Sequence, residues 1–238
     1  MAETRKTEAD HIEIARQKVL AAALPHVAFD GWSAETLRAA VADSGIDPGL
    51  AAQAFPRGAL DLALAFHRSG DAGMLAALEM ADLADMRFRD RIAFAVRLRL
   101  EQVADQKEAV RRSVAFFAVP ANVAEGAAAL WKTADLIWTA LGDTSDDVNW
   151  YSKRATLSAV YSATVLYWLG DDSDGHQATW EFLDRRIDDV MGIEKLKAKA
   201  RETPVVKDLM EAQARFFDWV KAPKGEAPDD LPGRSGRD

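Results

Sequence analysis

The chain has 238 residues, of which 49% are hydrophobic, so it can build a sizeable core in one domain or two and is not a disordered polymer. Its 30 Lys and Arg stand against 38 Asp and Glu, and the net charge of −8 suits nucleic acid poorly as a whole. There is no cysteine, which excludes disulfides, thiol catalysis and cysteine-held metals. The first ten residues are charged with no apolar run behind them, so no signal peptide is read. No segment approaches the roughly 18 apolar residues of a membrane span. The expectation is a soluble or peripheral protein.

Residues 12–24 read as a helix, with Ile12, Ala15, Val19 and Ala22 near helical spacing and with Pro25 and Gly31 as its breakers. Ser33 caps the next helix, residues 34–43. Asp47-Pro48 starts a short third one, ended near Phe55-Pro56, and a fourth covers 59–68. This spacing resembles the helix-turn-helix head of TetR-type regulators. The third helix is a poor DNA reader: Asp47 to Ala54 holds no cation, and Gln53 is its one base-reading side chain. Residues 1–70 carry seven cations against nine anions, a net −2. Phosphate contacts supply most DNA affinity, so the head reads as this fold without the binding surface.

Residues 71–88 read as a helix that buries Met74, Leu75, Leu78 and Met80. Arg87, Arg89, Arg91, Arg97 and Arg99 then alternate with apolar residues, and the helical neighbours argue for helix over strand. The basic run reads as a solvated face balanced by Asp82, Asp85, Asp90 and Glu101; the other reading is attraction to anionic lipid or to a partner's acids. Helices follow at 107–119 and 123–141, with Trp131 and Trp138 on the second. The loop after Leu141 is short, so the helix at 150–169 should pack antiparallel to it. Trp138 and Trp150 can then approach one surface. Residues 177–191 form its partner helix, with Trp180, Leu183, Ile187 and Val190 on one stripe. A Lys- and Ala-rich linker, partly helical, covers 192–203. A last amphipathic helix, 204–221, repeats Val205, Val206, Leu209, Met210, Phe216, Phe217 and Val220 at three-to-four spacing. That stripe is expected to contact membrane, or else to pack on protein. The tail, 222–238, is rich in Pro and Gly and is expected to be disordered.

The four histidines, His11, His26, His67 and His176, form no metal-binding or catalytic spacing. Phosphate loops and nucleophile elbows are absent as well. No catalytic residue, metal site or cofactor is expected.

One string stands apart. Asp146-Asp147-Val148-Asn149-Trp150-Tyr151-Ser152-Lys153-Arg154-Ala155 places two large aromatics and two cations at a helix entrance within reach of water. A core needs apolar bulk rather than this mixture. With Leu157-Ser158-Ala159-Val160-Tyr161 behind it, the string resembles the ubiquinone-biosynthesis accessory family called coenzyme Q protein nine. Thr179 to Ile187 and Phe29-Asp30-Gly31-Trp32-Ser33 fit the same family, so the resemblance covers roughly residues 10–220.

The resemblance implies an all-α, TetR-like homodimer built on the last two body helices, with a degenerate helix-turn-helix head and a C-terminal amphipathic helix. The domain division expected is 1–70 for the head, 71–192 for the lipid-binding and dimerisation body, 193–221 for linker and membrane helix, and 222–238 for the tail. It further implies a non-enzymatic protein, cytoplasmic and peripheral to the inner face of a membrane. Such a protein binds isoprenoid quinone intermediates and presents them to the demethoxyubiquinone hydroxylase, with no nucleic-acid partner. Asp147, Asn149, Trp150, Tyr151 and Arg154 carry over as the partner surface, joined by Asp135, Ile137 and Trp138 from the facing helix. Leu98, Val103, Leu157, Val160, Tyr161 and Thr164 are the candidate lipid lining. The alternative is a TetR-type ligand-sensing transcription regulator.

Overall fold

The computed structural model describes residues 2–201 and, among them, nine α-helices and no strand. The expected terminal helix, with Val205, Val206, Leu209, Met210, Phe216, Phe217 and Val220, lies outside the described residues. So does the expected tail. Among the described residues no helix is long and apolar enough to cross a membrane.

Helix α1 spans Ala2–Asp30 and passes straight through Pro25, which the sequence reading took as its end. A proline inside a helix costs about 3 kcal/mol. Val19, Ala23 and Val27 are fully buried on either side of it, so packing of that face outweighs the cost. Gly31, at φ +64°, ends the helix by donating its N–H to the Val27 carbonyl at 3.0 Å. Ser33 then caps α2 (Ala34–Ser44), its Oγ accepting from the Thr36 N–H at 3.0 Å. Trp32 is buried against Phe66 and donates Nε1–H to the Ala109 carbonyl, which pins this corner to the rest of the fold. Asp47 caps the short α3 (Pro48–Ala54) through the Gly49 and Leu50 N–H groups, as the Asp-Pro signal predicts.

Helix α4, Ala59–Met80, replaces the two helices expected at 59–68 and 71–88. Gly70 does not break it. A Cβ at that position would stand 2.3 Å from Arg99 Nη1, so the bare glycine is what admits the Arg99 guanidinium. Helix α5 covers Phe88–Glu101, which settles the alternating Arg run as helix. Helices α6 (Lys107–Ala118), α7 (Val123–Ala140) and α8 (Val148–Leu169) follow near the predicted bounds. Helix α9, Gln177–Arg201, continues into the segment read as a linker.

Helices α7 and α8 are antiparallel. Trp138 donates to the Lys153 carbonyl, Arg154 reaches Asp135, and Ser158 reaches the Leu130 carbonyl, so partners descend along one helix as they ascend the other. The core runs from Val19, Val27 and Leu62 through Met74 and Leu100 to Ile137, Leu157 and Trp168. The basic run is not a solvated face as a whole. Arg99 is 3% exposed and ion-paired, while Arg89 pairs with Asp184 and Asp188 of α9.

Candidate functional site

Two features outside ordinary core packing stand out, and α7 serves both. The first is a polar–aromatic patch where α7 meets α8. Asp147 caps α8, accepting from the Asn149 N–H at 2.9 Å and from its side-chain Nδ2 at 2.9 Å. Trp150 meets Tyr151 edge-on with ring centroids 4.8 Å apart, and Trp131 of α7 lies 5.7 Å from Trp150 and 6.2 Å from Tyr151. The Arg154 guanidinium sits under this cluster, 4.1 Å from the Trp150 ring centre. It donates Nε–H to Asp135 at 2.7 Å and Nη1–H to Asp143 at 3.0 Å. Lys153 donates to the other Asp143 oxygen at 2.7 Å and to Ser145 at 2.6 Å.

Asp143 is the electrostatic hub of the patch. Burial pushes its carboxyl pKa up, but hydrogen bonds from Lys153, Ser145 and Arg154 outweigh that and hold it at about 2. Its folded pKa lies below the unfolded one, near 3.9. The stabilisation is therefore complete above about pH 4 and disappears as the pH falls through about 2. Unfolding midpoints of wild type and Asp143→Asn should thus differ above pH 4 and converge toward pH 2. A constant difference across that window would assign the stabilisation elsewhere.

The eight expected partner residues fall in two layers. Asp147 and Asn149 are exposed, and Asp135, Trp150 and Tyr151 are half-buried. Arg154, Ile137 and Trp138 lie below the surface, at 2%, 0% and 9% exposure, so they shape the patch from beneath. Trp138 is closed off because Phe88 covers its ring and Lys153 both accepts its Nε1–H and lies over it. The ring that joins Trp150 is instead Trp131, two turns earlier on the same face of α7. Sequence reasoning placed Trp131 on that helix and missed this role.

The second feature is an apolar cavity of about 330 Å³ between α4, α5, α6, α7 and α8. Val103, Val110, Val114, Phe117, Leu130 and Val165 line it, and Val123 and Leu166, 53% and 60% exposed, are its exposed large apolar residues. Of the expected lining, Val103 and Tyr161 are present. Leu98, Leu157, Val160 and Thr164 are not, and they pack or bury on other sides of their helices. Tyr161, Ser162, Val165 and Leu166 form the face that α8 turns to the space. Helix α6 was overlooked, although Val110, Val114 and Phe117 recur at helical spacing. Gly126 lets α7 come close: a Cβ there would stand 2.7 Å from the Phe117 Cβ.

One end of the cavity is polar. Arg99 donates Nε–H to Asp71 at 2.6 Å and Nη2–H to the His67 carbonyl at 2.9 Å. Thr133 of α7 spends its single proton on the Asp71 carboxylate at 3.0 Å, which leaves its oxygen to accept from His67 Nε2–H at 2.8 Å. Burial, with smaller contributions from Arg99 and Arg68, pulls the His67 pKa down to about 4 against the pull of Asp71. His67 is therefore neutral at pH 7. Burial pushes the Tyr161 phenol up from its ordinary value and outweighs nearby Arg99. Among the described residues no group of three or more His, Cys, Asp or Glu is placed to hold a metal ion.

Residues 123–194 match the family described as COQ9, a stretch that carries both the patch and much of the cavity wall. The chain is 32% identical over 189 residues to the mitochondrial ubiquinone biosynthesis protein COQ9 of Drosophila melanogaster, covering 78% of this chain and 58% of that one. It is 29% identical over 206 residues to the human protein of that name, covering 83% and 64%. A Dictyostelium discoideum relative, named as a probable ubiquinone biosynthesis protein, is 29% identical over 78% of this chain and 62% of its own. The chain thus spans about 60% of the length of the curated relatives it matches. Its fold is similar to that of a TetR transcriptional regulator from Nitrosomonas europaea, with a TM-score of 0.59 over 73% of this chain and 95% of that one. At 19% identity this likeness is one of fold alone.

Proposed function

The chain belongs to the COQ9 family, and from that premise we propose that it is a lipid-binding accessory protein of ubiquinone biosynthesis. In this reading it shelters isoprenoid quinone intermediates in the apolar cavity and presents them to the demethoxyubiquinone hydroxylase, docked on the Trp150 patch. It acts at a membrane surface as a homodimer built on α8 and α9, and it carries out no chemistry itself. The observation that supports this most is the cavity, whose volume and apolar lining suit a hydrocarbon chain. A polyprenyl tail is nearly insoluble, and each buried CH₂ contributes about 0.8 kcal/mol. The stacking of Tyr167 on Phe182, at a centroid distance of 4.5 Å, joins α8 to α9, the two helices of the proposed dimer.

Lipids extracted from purified full-length protein should include isoprenoid quinones by mass spectrometry. Recovery of none, from protein folded by circular dichroism, would sink the lipid reading. The docking half is tested separately with Trp150→Lys. Trp150 is half-buried, so the unfolding midpoint should move little, while hydroxylase binding should fall by about 2 kcal/mol, roughly thirtyfold. A variant that unfolds instead would show Trp150 to be structural.

A further inference from the structure

The cavity wall is mostly apolar. Of its polar residues, Arg99, His67 and Tyr161 come together, with Arg99 bonded to the His67 carbonyl and facing the Tyr161 ring, while the Ser113 and Ser162 hydroxyls donate back to the Ala109 and Ser158 carbonyls of their own helices. His67 Nε2 is engaged by Thr133, and Arg99 uses Nε and Nη2 on Asp71 and the His67 carbonyl, with Nη1 lodged over Gly70. Tyr161 is the neutral donor of the group. It is 4% exposed, its ring faces the Arg99 guanidinium at 6.0 Å, and no described residue hydrogen-bonds to its hydroxyl. The hydroxyl opens onto the cavity instead of meeting a protein acceptor, so its proton is available to an oxygen of whatever fills that space.

The charges in this group fix the kind of acceptor. Arg99 and Asp71 cancel, and His67 is neutral, so the floor carries no net charge. A carboxylate or phosphate would place an extra buried anion beside Asp71 with no cation left to match it. A neutral carbonyl or ether oxygen needs only a donor. At the exposed side of the lining stand Val123 and Leu166, which suit a hydrocarbon chain rather than a polar group.

We propose that the cavity takes its ligand polar end inward: a neutral, oxygen-bearing ring at the floor accepts a hydrogen bond from the Tyr161 hydroxyl, with the apolar chain leaving past Val123 and Leu166. This rests on the lipid-binding reading above and adds the orientation and the class of head group. Delivery to a partner then begins with release of the head from the floor.

The test compares full-length wild type with Tyr161→Phe, using three probes in equilibrium dialysis at pH 7: a decyl-substituted dimethoxybenzoquinone, hexadecane and palmitate. Wild type should prefer the quinone to both others. Tyr161→Phe should bind the quinone about tenfold more weakly, the scale of one buried hydrogen bond, and bind hexadecane unchanged. Without ligand the variant should unfold at the same temperature as wild type or higher, since the hydroxyl has no partner to lose. Unchanged quinone binding by Tyr161→Phe, or an equal loss for quinone and hexadecane, would overturn the inward orientation while leaving the lipid reading standing. A preference for palmitate would overturn the neutral head group. Failure of wild type to bind any of the three would overturn the lipid reading and this proposal together.

Discussion

Asp71→Ala is expected to lower the unfolding free energy by about 3–5 kcal/mol at pH 7, the usual cost of breaking a buried ion pair from one side. Asp71 and Arg99 are 4% and 3% exposed, and the carboxylate also accepts from Thr133. Removing it leaves a guanidinium buried with no counter-charge, over a glycine that gives it nothing but room. The loss should appear as a lower urea midpoint with an unchanged slope. Removing both charges, Asp71→Leu with Arg99→Met, should cost much less than Asp71→Ala alone, because no unpaired charge remains. An Asp71→Ala variant within about 1 kcal/mol of wild type would mean that water or local rearrangement reaches Arg99.

The second large effect is on acid stability. His67 titrates at about 4 in the folded protein and near 6.5 unfolded. Between those values the unfolded chain binds the extra proton and the folded one does not, so stability falls as the pH drops through this window. The contribution is complete above pH 6.5 and gone below about 4, and the shift corresponds to about 3 kcal/mol. Burial of the ring sets this behaviour; Asp71 favours its charge, and Arg99 and Arg68 oppose it. His67→Gln should flatten the stability curve between pH 6.5 and 4 and leave the Asp143 limb below pH 4 in place. A curve equally steep with and without His67 would place the acid-sensitive group elsewhere.

The helices and their starts were largely legible, because both are local. Ser33 and Asp47 announce their caps, and the apolar spacing of α7 and α8 gives their length. Failures came where distant residues decide. Pro25 and Gly70 carry strong local breaker signals, yet a buried face and an arginine from another helix overrule them. The Asp71–Arg99 pair joins residues 28 apart, and its arginine sits in a run that reads as a solvated face. The patch could be read because most of it is one contiguous string; Trp131, from the other helix, could not. A cavity is missing volume among five helices and leaves no pattern in any one of them. That is why only Val103 and Tyr161 of six expected residues reach it.

The half-buried Trp131–Trp150 pair gives the protein an optical handle of its own. Trp32, Trp138, Trp168 and Trp180 are each at most 9% exposed, so their fluorescence lies toward the blue and out of reach of aqueous iodide. Among the described tryptophans, only the pair at the α7–α8 junction offers a red-shifted component that a dissolved quencher can collide with. Anything that settles on the patch must therefore shield that component, and its arrival can be followed by emission from the unlabelled protein.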